Sequence, residues 1–133
     1  MEKQTQQVMI VEDDLLLLMV EERLVNNLGF NVVGKASEGQ QALRLFREIH
    51  PDILLVDINL RGELTGLDII NQLKKEGLDT PVIFLSGEED PAMIKNAKKT
   101  GCVDYLLKPI TVAALKESLN KAMAYKKAQQ FAA

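Results

Sequence analysis

The chain is poor in the residues that build disulfide frameworks and thiolate metal centres, with one cysteine, Cys102, and one histidine, His50, among 133 residues. A lone cysteine closes no intramolecular disulfide, and with a lone histidine it cannot complete a tetrahedral zinc site. A reducing compartment is the natural home for such a chain, so a cytoplasmic location is expected. Long apolar runs are missing too. The longest, Leu15 to Val20, is far short of a membrane span, and no basic N-terminal stretch leads into an apolar segment. No membrane insertion is expected. Basic charge is not in excess: 16 Lys and Arg stand against 19 Asp and Glu, a formal charge of −3. That offers no basic face for direct nucleic acid binding. Lys74-Lys75, Lys98-Lys99 and Lys126-Lys127 read as solvated helix surfaces.

What the chain does have is one domain's worth of hydrophobic residues, 47% of the total, enough for a core without staples. Strand-like and helix-like segments alternate five times. The expected strands are about Gln7–Val11, Asn31–Ala36, Asp52–Val56, Pro81–Leu85 and Val103–Leu106. Their apolar runs suit parallel strands covered on both faces. The expectation is an α/β fold, a doubly wound (βα)5 parallel five-stranded sheet in the flavodoxin-like order 2-1-3-4-5. Helix ends carry their own signals. Gly29, Gly77 and Gly101 fall where helices should stop. Ser37 with Gln40 predicts a capping box, Asp90-Pro91 a helix start, and Thr111 a cap for a last helix with an apolar face of Val112, Leu115, Leu119, Ala122 and Met123.

The chemistry gathers at the carboxyl ends of the strands, where open α/β sheets bind ligands. Glu12, Asp13 and Asp14 follow the first strand, Asp57 ends the third, Ser86 follows the fourth, and Lys108 follows the fifth, directly before Pro109. Clustered carboxylates repel one another unless a cation or a proton intervenes. Taken singly, each piece has a plainer role. Asp14 suits the N-terminus of the first helix, Ser86 could cap a backbone amide, and Lys-Pro is commonly a turn. His50 before Pro51 reads as a turn residue, and Cys102 as a packing residue.

Together, Ile10-Val11-Glu12-Asp13-Asp14, Leu55-Val56-Asp57, Phe84-Leu85-Ser86-Gly87 and Gly101-Cys102-Val103-Asp104-Tyr105-Leu106-Leu107-Lys108-Pro109 resemble the receiver domain of two-component response regulators. The resemblance implies a receiver over about residues 7–127, with loose termini at 1–6 and 128–133. It implies that Asp57 accepts a phosphoryl group from a histidine kinase or phosphotransfer protein. Asp13 and Asp57 would ligate Mg²⁺ directly, Glu12 through water, and Asn59 through its carbonyl. All-oxygen ligation suits Mg²⁺ or Mn²⁺. Lys108 and Ser86 would hold phosphoryl oxygens, and Tyr105 would couple Ser86 to an outer face. That face, of the fourth helix, fifth strand and fifth helix, would meet an output domain or downstream protein. Asn59 and Glu88 would tune hydrolysis.

The chain departs from the family pattern in places. Arg61 replaces the proline usual after the acceptor, Gly66 comes one residue late, and Ser86-Gly87 stands where threonine-alanine is frequent. Other readings are open at this point. A phosphatase of the haloacid dehalogenase type with an aspartate nucleophile would want a second acid two residues on, where Asn59 stands. A flavodoxin would want a hydroxyl- and glycine-rich loop where Glu12-Asp13-Asp14 stands, and a scaffold-only receiver would not need the full set of groups.

Overall fold

The computed structural model describes residues 5–131. Five strands and five helices alternate: β1 (Gln7–Val11), α1 (Leu15–Asn27), β2 (Asn31–Ala36), α2 (Gly39–Ile49), β3 (Ile53–Asp57), α3 (Gly66–Lys75), β4 (Val82–Ser86), α4 (Pro91–Lys99), β5 (Asp104–Leu107) and α5 (Val112–Phe131). The strands form one sheet in the order β2-β1-β3-β4-β5, and every neighbouring pair is parallel. The expected winding is the observed one. No helix among the described residues is long and apolar enough to cross a membrane.

Side-chain alternation along the central strands builds two cores. Val8, Ile10, Ile53, Leu55, Ile83 and Leu85 face α1 and α5, packing with Leu18, Val25, Leu115, Leu119 and Ala122. Met9, Val11, Leu54, Val56, Val82 and Phe84 face the other side with Ala42, Leu43, Phe46, Ile69, Ile70 and Leu73. Each fully buried Leu, Ile or Phe contributes roughly 1.5–3 kcal/mol. This is the reason β3 and β4 read as unbroken apolar runs: neither face of either strand meets water.

Helix termini follow local chemistry, with some corrections. Gly29, Gly77 and Gly101 have φ of 92°, 94° and 79°, the left-handed geometry that only glycine adopts without strain. Asp14 caps α1, accepting from the N–H groups of Leu16 and Leu17 at 3.0 and 3.1 Å. Asp90 caps α4 and Thr111 caps α5. The Ser37 box does not form. Glu38 is the residue before α2, and Gln41, not Gln40, reaches back to the Ser37 N–H at 3.0 Å. The box that does form is Thr65 with Asp68, at the start of α3. Val112 is 51% exposed, because the first turn of α5 precedes the stretch that meets the sheet. Helix α5 continues to Phe131, into the stretch expected to be a loose end, and Lys126 pairs with Asp52 beneath β3. Residues 1–4 and 132–133, part of the expected loose ends, lie outside the described residues.

Candidate functional site

Parallel pairing brings the last residues of β1, β3 and β4 to one edge, Asp57 lying opposite Leu85. Glu12 and Asp13 follow β1 directly, Asp57 and Ser86 end their strands, and Lys108 follows β5. Glu12, Asp13 and Asp57 each present a carboxylate oxygen within 4.8 Å of the others. Lys108 Nζ lies 2.6 Å from Glu12 Oε1 and 2.9 Å from Asp57 Oδ2. Asp57 Oδ1 accepts the Asn59 N–H at 3.0 Å, so both its oxygens have a donor. Glu12 and Asp57 are 0% and 2% exposed. The Lys108–Pro109 peptide is cis.

One ammonium faces three carboxylates, and burial magnifies the imbalance. Desolvation raises the Asp57 pKa, contact with Glu12 raises it further, and Lys108 works against both. Burial would lower the Lys108 pKa, but hydrogen bonds to Glu12 and Asp57 override it and the net shift is upward. Glu12 Oε1 makes no directed hydrogen bond beyond that ion contact. A cluster of hard oxygen donors with surplus negative charge fits Mg²⁺ or Mn²⁺. Its mouth is a cleft of ≈ 330 Å³ bordered by Asp13, Asn59, Arg61, Gly87 and Glu88.

The loop after Asp57 is pinned at both ends. A Cβ on Gly66 would fall 2.3 Å from the Asp57 carbonyl oxygen, so only glycine passes there, and its N–H donates to Ile58 O at 2.9 Å. In the middle, Arg61 stands over the mouth. Its N–H donates to Asp13 Oδ2 at 3.0 Å, and its 89% exposed side chain brings Nε to 3.5 Å from the same oxygen.

Ser86 turns toward the β4–α4 loop. Its hydroxyl accepts the Glu88 N–H at 3.1 Å and donates to the Glu88 carbonyl at 3.2 Å, and Asn59 Nδ2 is 3.4 Å away. Tyr105 OH donates to the same Glu88 carbonyl at 3.3 Å. Ser86 and Tyr105 therefore meet at one backbone oxygen. The Glu88 side chain is exposed at the mouth. Other singled-out residues lie elsewhere. His50, at φ 50°, ends α2 with its ring edge-on to Phe46 at 5.7 Å. Cys102 is half-buried against the core beside α4, and burial raises its thiol pKa, which leaves it unreactive.

Inspection of strand ends misses Glu21. It lies on the buried face of α1 between Leu18 and Val25, 3% exposed. Desolvation, reinforced by contact with Glu12, pushes its pKa up to about 9, against a smaller opposing pull from Lys108. Burial therefore favours the protonated form of Glu21. The signal was present as an acid at helical spacing within an apolar stripe.

The response regulator receiver domain family model matches residues 8–120. The chain is 32% identical over 114 residues to chemotaxis protein CheY of Thermotoga maritima, covering 86% of this chain and 94% of that protein. It is 33% identical to the probable C4-dicarboxylate response regulator DctR of Halalkalibacterium halodurans, covering 86% of this chain but 50% of that protein. Among solved structures, the signal receiver domain of a modulated diguanylate cyclase from Desulfovibrio desulfuricans G20 superposes with a TM-score of 0.86 at 32% identity, covering 95% of this chain and 99% of that one.

Proposed function

The chain belongs to the response regulator receiver domain family, and from that membership we propose that it is a phosphorylatable switch with Asp57 as acceptor. The observation that carries the reading is Lys108 Nζ, 2.6 Å from Glu12 and 2.9 Å from Asp57, as the one ammonium beside a cluster of three carboxylates. An Asp57 oxygen attacks phosphorus on the phosphohistidine of a histidine kinase or phosphotransfer protein. The P–N bond breaks, its electron pair leaves with the imidazole, and an acyl phosphate remains on Asp57. Glu12, Asp13, Asp57 and the Asn59 carbonyl would hold Mg²⁺, or Mn²⁺ in its place. When bound, the ion supplies positive charge that offsets the repulsion between carboxylate and phosphoryl group.

Lys108 is already held at Asp57 and needs only to exchange carboxylate for phosphoryl oxygen, so its charge is in place as the transferred charge develops. Ser86 would give a hydrogen bond to another phosphoryl oxygen in exchange for the Glu88 carbonyl, leaving that carbonyl to Tyr105. The outcome is a population shift at the face formed by α4, β5 and α5, which would alter binding to an output domain or downstream protein. Asn59 and Glu88 border the path of water to phosphorus and would set the lifetime of the phosphorylated state. The chemistry acts on the protein itself, as a cytoplasmic signalling switch rather than an enzyme with turnover.

Incubation with acetyl phosphate and Mg²⁺ should add one phosphoryl group by intact mass. Asp57→Asn should abolish the addition, and undiminished labelling of that variant would sink the assignment. Asp13→Ala should lose metal binding and labelling together. A large hydrophobic residue in place of Glu88 should slow phosphoryl loss after donor removal, and an unchanged decay rate would remove Glu88 from the account.

A further inference from the structure

We propose that Arg61 is a tethered competitor of the divalent cation, its guanidinium lying on Asp13 so that a side chain of this loop sets the ion concentration at which the site fills. This rests on the cation-dependent reading above and adds to it the residue that regulates it. Five carboxylate residues line the cleft together with two cations, Lys108 and Arg61. The two cations are held in opposite ways. Lys108, 15% exposed, spans Glu12 and Asp57 at 2.6 and 2.9 Å, so the two buried carboxylates share it. Arg61 is left to Asp13 and meets it twice at one oxygen: its backbone N–H donates to Oδ2 at 3.0 Å, and its Nε stands 3.5 Å from the same atom.

Those contacts differ in kind. The N–H belongs to the backbone and keeps Arg61 over Asp13 wherever its side chain turns. The guanidinium is on a side chain 89% exposed, and exposed ion pairs are weak, so it leaves the carboxylate readily. It cannot leave the site. A divalent ion on Asp13 therefore meets a positive charge kept within one arginine side chain, a span no longer than the Debye length of about 8 Å at physiological ionic strength. Like charges at that separation should weaken ion binding roughly three- to tenfold, and added salt should erase the effect. Packing does not account for a side chain so little covered; the charge left on Asp13 does.

The test uses the full chain, with Mg²⁺ and Mn²⁺ affinities measured by titration calorimetry without any phosphodonor. Arg61→Gln, which keeps the backbone N–H and drops the charge, should bind both ions about three- to tenfold more tightly at low salt. The gain should shrink toward nothing near 1 M salt, where the Debye length is about 3 Å. Arg61→Lys, which keeps the charge, should stay close to wild type, and Arg61→Ala should follow the glutamine variant. With acetyl phosphate supplied, the Mg²⁺ concentration for half-maximal labelling of Asp57 should fall in Arg61→Gln by the same factor as the affinity rises. Affinity unchanged or weakened in Arg61→Gln, equal tightening in Arg61→Lys, a gain that persists undiminished in high salt, or a labelling midpoint that does not move would each overturn the proposal. A glutamine variant that does not fold would overturn it as well, because Arg61 is given no role in packing. Wild-type protein that binds neither cation would overturn the cation-dependent reading itself, an outcome distinct from the others.

Discussion

The two ends of the sheet both hold carboxylates next to lysine, yet they are balanced differently. At the amino ends of the strands, Asp52 pairs with Lys126 and also accepts the Gln7 N–H at 2.7 Å. At the carboxyl ends, Lys108 pairs with both Glu12 and Asp57, and Asp13 has only the largely solvated Arg61 guanidinium at 3.5 Å. The balanced end borders the larger depression, ≈ 400 Å³ against ≈ 330 Å³ for the site mouth. Cavity size and unbalanced charge therefore single out opposite ends of the sheet. A satisfied pair anchors α5 beneath β3; an unsatisfied cluster calls for a ligand.

The comparison is most severely tested by removing the lysine from each end. Lys108→Met should slow acetyl phosphate labelling of Asp57 at least about 100-fold, the usual effect of losing one preorganised electrostatic partner. Intact-mass time courses measure it. A next, structural test is Gly66→Ala. The added Cβ has no room beside the Asp57 carbonyl, and a cost of roughly 1–3 kcal/mol is expected for such overpacking, read from urea denaturation, together with slower labelling.

The pH dependence of stability should also distinguish the ends. Burial pushes the Glu21 carboxyl up to about 9 from its ordinary 4.5. Between those values the folded state binds more protons than the unfolded one, so this contribution is complete below about pH 4.5 and fades as pH rises toward 9. In EDTA, wild-type stability should fall across that window, and Glu21→Gln should flatten the slope. The smallest effect is expected at the other end. Lys126→Met should change unfolding stability by about 1 kcal/mol or less, as for other partly exposed pairs, and leave labelling unaltered. A labelling defect there would break the distinction between the two ends.

Much of this was legible in the chain because strand ends are marked by abrupt changes in polarity. The runs ending at Asp57 and Ser86 place those groups at the sheet edge, and Gly29, Gly77 and Gly101 mark helix ends because their backbone geometry excludes other residues. What escaped depends on contacts between distant segments. Glu21 is buried by the packing of α1 against the sheet, which its own neighbours in sequence do not announce. Helix α2 begins at Gly39 rather than at a Ser37 cap, in a place where a Cβ would lie 2.5 Å from Leu64 Cβ. The shared carbonyl of Glu88 is a backbone atom, and no side-chain pattern announces it.

The tight passage of Gly66 across the Asp57 carbonyl has a consequence for how the molecule can be altered. Because Gly66 is tied to Ile58 O, the chain closes a short ring on itself, and the start of α3 is coupled mechanically to the end of β3. Everything inside the ring is relieved of setting that distance. At its crown, the Arg61 side chain is largely solvated, and a Cβ on Gly62, at φ 100°, would meet only open space. Doubling such a loop adds only about 0.6 kcal/mol of closure entropy. The crown is therefore a place where evolution or an engineer can insert new sequence beside the acceptor while its support stays in register.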